Sequence, residues 1–325
     1  MAPSEPVSEA PAAPSAPLWR RALPFVLAIA LVAWVVSRLD LRAFVDQLAR
    51  VDYPAFLAFT TAFVLALLTA DAFATTIVYR FAVARVSFRE IWVLRGASYL
   101  ASLLNHHVGQ AFFTYFVSRS HGVALGRVAG ATLLVYASWM GCLLGLAGVA
   151  WLVAGKPVAW LAIPLVAGVA YLVVIAVRPA RLARIGPLAP LFEAGVGGHL
   201  VALLARLPHL AVLFLGTWLP FWFFSVRIPL APALGLVPVV MVATTLPLTP
   251  QGFGTRDVLA AELFERFADG ATHEQRLAAI AAATTCFGIA ITVVEAVIGL
   301  WLMRRAVPHL RAAAPRAGRA ARDDA

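Results

Sequence analysis

Charge is scarce in this chain. Only 13% of its 325 residues are Asp, Glu, Lys or Arg, against about a quarter in soluble domains. Lysine is almost missing: Lys156 is the single example, so arginine carries the formal net charge of +10. Cysteine is nearly absent as well, and Cys142 and Cys286 both lie within apolar runs. Two such residues behave as small hydrophobes rather than as a disulfide framework or a metal pair, and they say nothing of redox compartment. No ATP-binding motif and no metal-ligand spacing occurs, so no cofactor and no metal are expected.

Apolar side chains, in contrast, are abundant. The chain is 62% hydrophobic with a mean hydropathy of +0.86. Several runs reach the roughly 20 residues that cross hydrocarbon. This composition describes an integral membrane protein, and it changes the meaning of the basic balance. Nucleic-acid binding is not expected. The arginines fall in short loops and at the C-terminus, as the positive-inside rule asks, and there they can hold anionic lipid headgroups.

Loop charge then sets the topology. Residues 1–19, with Pro3, Pro6, Pro11, Pro14 and Pro17, read as a disordered cytoplasmic arm. Arg20 and Arg21 precede the apolar run 22–37, and no small-x-small cleavage site follows it. An uncleaved first span with its N-terminus inside is expected. The loop 38–54 is neutral and faces out; a second span, 55–79, ends at an inner cluster of Arg80, Arg85, Arg89 and Arg95. If 91–117 crossed the bilayer, Arg178, Arg181 and Arg184 would face outward. If it enters and leaves on one face, every basic loop falls inside. The same count applied to 229–276 needs an even number of crossings, between a span at 208–226 and a last span at 277–302. Here the inner loop is taken to run from Arg178 to Arg206. The expected fold is all-α and polytopic, with about six spanning helices plus two re-entrant helical hairpins, 91–117 and 229–268, in an inverted repeat. Residues 20–305 form one transmembrane domain, followed by a basic cytoplasmic tail, 306–325. Both termini lie on the cytoplasmic side of a bacterial-type plasma (inner) membrane.

The stretch "LPLTPQGFGTRD", 246–257, resembles the "LP-[small]-TP-G-G-x-G-x-R-E" signature of the transmembrane lysylphosphatidylglycerol synthetase/flippase domain family. "RGASYLASLLNHHVGQAFFTYFVSR", 95–119, is similar to that family's first hairpin. The resemblance covers roughly 20–305. Gln251 stands where the family usually has glycine, Asn105 where proline is common, and Gln110 where the family has an acidic residue. The resemblance implies a flippase-type domain that moves phospholipids or related anionic lipids between leaflets. Lysyl transfer is not expected, because the soluble aminoacyl transferase domain that accompanies it in the family's best-known members does not follow residue 325.

The residues themselves suggest how an anion would be held. Helix N-termini at hairpin tips expose N–H groups and favour anions. Helices are expected to start after Gly109 and Gly254, two glycines that align between the hairpins. Gly252 and Gly254 would let a phosphate approach the backbone, Thr249 and Thr255 can donate hydrogen bonds, and Arg256 can pair with phosphate while Asp257 steadies it. Gln251 shapes the same tip. At the other tip stand Asn105, His106, His107, Gly109 and Gln110, with Tyr99 and Ser102 lining the cavity. Adjacent histidines rarely converge on one ion, so hydrogen bonding to headgroup or backbone is preferred to metal binding, and a protonated ring can also bind phosphate. Asp71 and Glu295 are lone acids within spans. They read equally as proton-coupling groups or as ion-pair partners of Arg95 and Arg206.

Membrane lipids are therefore the expected partners, and the leading reading is a lipid translocase. Two alternatives stay open: a membrane enzyme using a lipid-linked sugar, with Asp40, Asp46 or Asp52 as base, and an accessory subunit that recruits a lipid-synthesis enzyme through the basic tail. The sequence sets no lipid identity, direction or oligomeric state.

Overall fold

The computed structural model describes residues 41–103, 105–245 and 254–323. The expected first span, 22–37, and the hairpin-tip residues Thr249, Gln251 and Gly252 lie outside the described residues.

The described chain is helical almost throughout. Helix α1 (Leu41–Ala49) precedes α2 (Tyr53–Ala82), which starts where the Asp52 carboxylate accepts from the Ala55 amide at 3.1 Å, with Pro54 in the first turn. Ser87 caps α3 (Phe88–Ala97) in the same way, at 3.1 Å to the Glu90 amide. A short α4 (Tyr99–Ser102) and then α5 (His106–His121) follow; Asn105 caps α5 and Gly122 closes it in a left-handed conformation. Helix α6 (Leu125–Val153) leads through a 3-10 turn into α7 (Ala162–Val177), a short α8 (Ala180–Ala183) and the long α9 (Ala189–Trp218), which is broken by a kink at Gly195 and which a further 3-10 turn extends to Phe224. Helices α10 (Leu230–Thr245) and α11 (Thr255–Phe264) come before the final α12 (His273–Asp323). Among the described residues, four helices are long and apolar enough to cross a membrane: Tyr53–Ala82, Leu125–Val153, Ala189–Phe224 and His273–Val307. Ala162–Val177 and Leu230–Thr244 are apolar but shorter. The protein is thus an all-α, multi-pass membrane protein. The face of α7 suits lipid: Ile163, Leu165 and Val177 are at least 66% exposed, a liability in water.

Helices α2 and α9 form the central pair. Phe81 lies beside Gly198, Asp71 beside Arg206, and Phe63 against Gly216. Falling numbers on one helix meet rising numbers on the other, so the two run antiparallel. Phe56 near the start of α2 therefore packs edge-on against Phe223 and Phe224 beyond the end of α9, with centroids 5.6 and 5.4 Å apart. The end of α2 and the end of α9 consequently lie at opposite poles of the bundle.

Each of these helices is followed by a hairpin that returns to its own pole. In the first, His121 at the end of α5 meets Glu90 at the start of α3 at 2.8 Å. In the second, Val226 and Ala268 form an antiparallel bridge, flanked by Arg227 N–H to Phe267 O at 3.0 Å and Asp269 N–H to Ser225 O at 2.9 Å. Because the poles are opposite, the two hairpins enter from opposite ends, an inverted arrangement of the kind transporters build around a central site. The first is held tight by glycine. A Cβ on Gly109 would lie 1.8 Å from the Ser102 hydroxyl, so only glycine lets the two arms meet.

The structure corrects two details. Helix α9 begins at Ala189, so Arg206 is not the end of an inner loop but a residue of the helix interior, 2% exposed. The hairpin helices begin after Asn105 and Gly254, so Asn105, and not Gly109, is the counterpart of Gly254. Gly109 marks an arm-to-arm contact one turn further on.

The arrangement makes two expectations. With Cys142 and Cys286 replaced by Ala, an impermeant thiol reagent should label cysteines at Arg89 and Ser120 from one side of a sealed vesicle and at Arg227 and Asp269 from the other; same-side labelling of all four would refute the inverted arrangement. Gly109→Ala should lower stability by about 1–3 kcal/mol through overpacking, and Ser102→Gly in the same chain should recover part of the loss in a thermal melt. An unchanged melting temperature for Gly109→Ala would show that the arms are loose.

Candidate functional site

Arg95, from the first hairpin, reaches α2 and pairs through Nε with Asp71 Oδ2. Arg206, from α9, pairs through Nη1 with the other oxygen, Oδ1. One carboxylate thus joins three separate elements. Arg95 also donates through Nη1 to Gln110 Oε1 on α5 and lies over the Phe113 ring, 5.5 Å from its centroid. Gln110 therefore links one arm of the hairpin to the other through Arg95. Beside this cluster a hydroxyl ladder ties α2, α5 and α6: Tyr79 to Thr132 at 2.8 Å and Thr114 to Thr132 at 3.2 Å. Asp71, Thr132 and Arg206 are all buried.

Asp71 brings one negative charge against two guanidinium groups. Glu295 on α12 is half-buried and makes no ion pair among the described residues. His209 follows Arg206 by one turn, its ring 5.0 Å from that of Trp139. Sequence reasoning passed over His209 because the span was begun at residue 208. Its spacing of three from Arg206, across Pro208, is the signal that would have found it once the helix is started at 189.

The first tip is more exposed. Asn105, His106 and His107 are exposed, and Asn105 Oδ1 accepts from the His107 amide at 2.7 Å. His106 Nε2 meets the Tyr136 hydroxyl at 3.2 Å, while its ring meets that of His107 edge-on at 5.9 Å. No group of three or more His, Cys, Asp or Glu that could hold a metal occurs among the described residues. At the second hairpin Gly254 has φ +79°, a conformation that favours glycine, and its amide donates to Asp257 Oδ2 at 2.9 Å. Asp257 therefore caps α11. Arg256 is half-buried and donates through Nη2 to the Thr284 carbonyl on α12 at 2.8 Å; Thr255 is also half-buried.

Helix α12 runs past both hairpins. Leu100 of the first packs on Gly299, and Arg256 of the second reaches Thr284. These points lie about 20 Å apart along the helix at 1.5 Å per residue. No ion pair or hydrogen bond among the described residues joins the Asn105–Gln110 group to the Gly254–Asp257 group. What the structure does bring together is Asp71, Arg95, Arg206 and Gln110.

At the pole of the second hairpin, Glu265 accepts from His273 Nδ1 at 2.7 Å and from Arg276 Nη2 at 3.0 Å. The His273 hydrogen bond, then those of Arg276, hold the Glu265 carboxyl below its ordinary range. Glu265 and Arg276 line an open cavity of about 630 Å³ together with Glu262 and Arg266.

Crossing helices, two hairpins from opposite poles and an ionic centre define a polytopic membrane protein built around a polar interior. The chain belongs to the lysylphosphatidylglycerol synthase transmembrane region family, whose model matches residues 21–284. No curated protein matches it.

Two outcomes are expected. Arg206→Leu should destabilise the fold, because removing one partner of a buried pair costs about 3–5 kcal/mol in soluble cases. The double variant with Asp71→Asn should be less destabilised than the sum of the singles; strict additivity in unfolding free energy would show that the pair is not coupled. At the Glu265 contact, a lowered carboxyl contributes stability above its unfolded value and loses it as pH falls through the folded value. Hydrogen exchange in 265–276 should therefore quicken on acidification, and Glu265→Gln should remove that dependence.

Proposed function

We propose that this protein is a lipid translocase of the bacterial-type inner membrane, moving a phospholipid or a related anionic lipid between leaflets. The observation that carries this reading is the pair of hairpins entering from opposite poles, each with a helix that starts at its tip, at Asn105 and at Gly254. Helix starts attract anions, and the guanidinium groups of Arg95 and Arg206 add charge of the required sign. A headgroup would enter this polar path while its acyl tails stay in lipid. In this reading the arginine-rich loops, including Arg178, Arg181 and Arg184, and both termini face the cytoplasm. Membership of a family named for a lysylphosphatidylglycerol synthase agrees with lipid handling. The reading assigns the chain movement of lipid and no group transfer.

Purified protein in liposomes should move headgroup-labelled phosphatidylglycerol between leaflets faster than protein-free vesicles, and Arg256→Ala should slow it about tenfold, as loss of a charge-assisted hydrogen bond implies. No movement of any anionic or zwitterionic phospholipid would end the proposal.

A further inference from the structure

Arg206 combines deep burial with incomplete pairing. Its side chain is 2% exposed. Nη1 is bonded to Asp71, but Nε and Nη2 have no hydrogen-bond partner among the described residues. Those two nitrogens share one edge of the guanidinium, where two N–H bonds run parallel and match two oxygens of a phosphate or carboxylate. His209, on the same face one turn on, leaves ring Nδ1 without a partner as well. Asp71 meets Arg206 through Nη1 alone, and its other oxygen is bonded to Arg95. Buried charged donors left open are costly, and Asp71, the carboxylate that pairs with Arg206, is shared with Arg95. Glu295 lies on α12 and pairs with neither arginine.

We propose that the Nε–Nη2 edge of Arg206, together with His209 Nδ1, is the receptor for a phosphate-type oxyanion, and that Asp71 is a built-in competitor holding Arg206 and Arg95 until that anion arrives. The incoming oxyanion takes the open edge and competes with the Asp71 carboxylate for both guanidiniums. Because Arg95 belongs to the first hairpin, weakening its bond to Asp71 loosens that hairpin from α2. Anion binding and hairpin release are thereby coupled at one residue. A lipid headgroup as the source of the phosphate rests on the translocase reading; binding of the oxyanion does not.

The full chain in detergent would be titrated with dihexanoylphosphatidylglycerol and, separately, with inorganic phosphate. Asp71→Asn should tighten binding about fivefold, since it removes the competitor. Arg206→Gln should weaken it about tenfold, since a charge-assisted pair is lost. His209→Ala should weaken it less. A purely structural role for Asp71 predicts the reverse for Asp71→Asn, so weaker or unchanged binding in that variant overturns the proposal. Should Arg206→Gln fail to fold, the Asp71→Asn/Arg206→Gln chain carries no buried charge from the pair and serves instead. It should bind weakly, and tight binding there overturns the proposal. Binding of the lipid but not of phosphate assigns a headgroup; binding of both assigns the bare oxyanion; binding of neither rejects the site. Binding without transbilayer movement leaves this site standing and removes the translocase reading. Movement unaffected by Arg206→Gln does the opposite.

Discussion

The bond that organises the rest is the sharing of Asp71 between Arg95 and Arg206. Each of the three residues comes from a different element, and none could remain charged alone in a lipid-embedded interior at acceptable cost. Sharing one carboxylate fixes the register of α2 against α9, since Asp71 must meet Arg206 while Phe63 covers Gly216. It also fixes the depth of the first hairpin, since Arg95 must reach the same carboxylate and still bond Gln110. Buried ion pairs are poor sources of net stability. Their strength is specificity, and here they select one placement of the hairpin among many that apolar packing alone would tolerate.

The hairpins themselves use different chemistry at their bases and their tips. At the bases, where water is available, polar side chains and a single antiparallel bridge close the loops. Inside, α5 and α11 must each satisfy a helix start. Asn105 accepts from the His107 amide, and Asp257 reaches back to the Gly254 amide. These caps take part of the N–H supply that an anion would otherwise use. The two arginines that meet Asp71 are held differently. Arg95 is tied on three sides, to Asp71, Gln110 and the Phe113 ring, whereas Arg206 keeps an edge open.

Much of this was legible beforehand, for identifiable reasons. Spans announce themselves through length and hydropathy, so α2, α6 and α12 fall close to the apolar runs that suggested them. Lone acids within spans are expensive, which is why Asp71 stood out and why Arg95 and Arg206 were natural partners for it. Helix starts were less legible. A glycine next to a break looks like a turn, yet Gly109 is needed for contact with Ser102 and the turn belongs to Asn105. Arg206 was taken for the edge of a loop because charge counting treats every arginine as a surface residue. A buried pair breaks that rule, and His209 was overlooked with it.

The amino-acid sequence by itself determined the class, the all-α architecture, the rough position of the described apolar segments, and the family, because these depend on composition, periodicity and local motifs. Only the tertiary structure decided that the two hairpins close at opposite poles, that Asp71 takes both arginines rather than one, and that Arg206 is left with an open edge beside His209. Those facts join residues 71, 95 and 206. Nothing local relates positions so far apart in the chain; the antiparallel packing of α2 on α9 does.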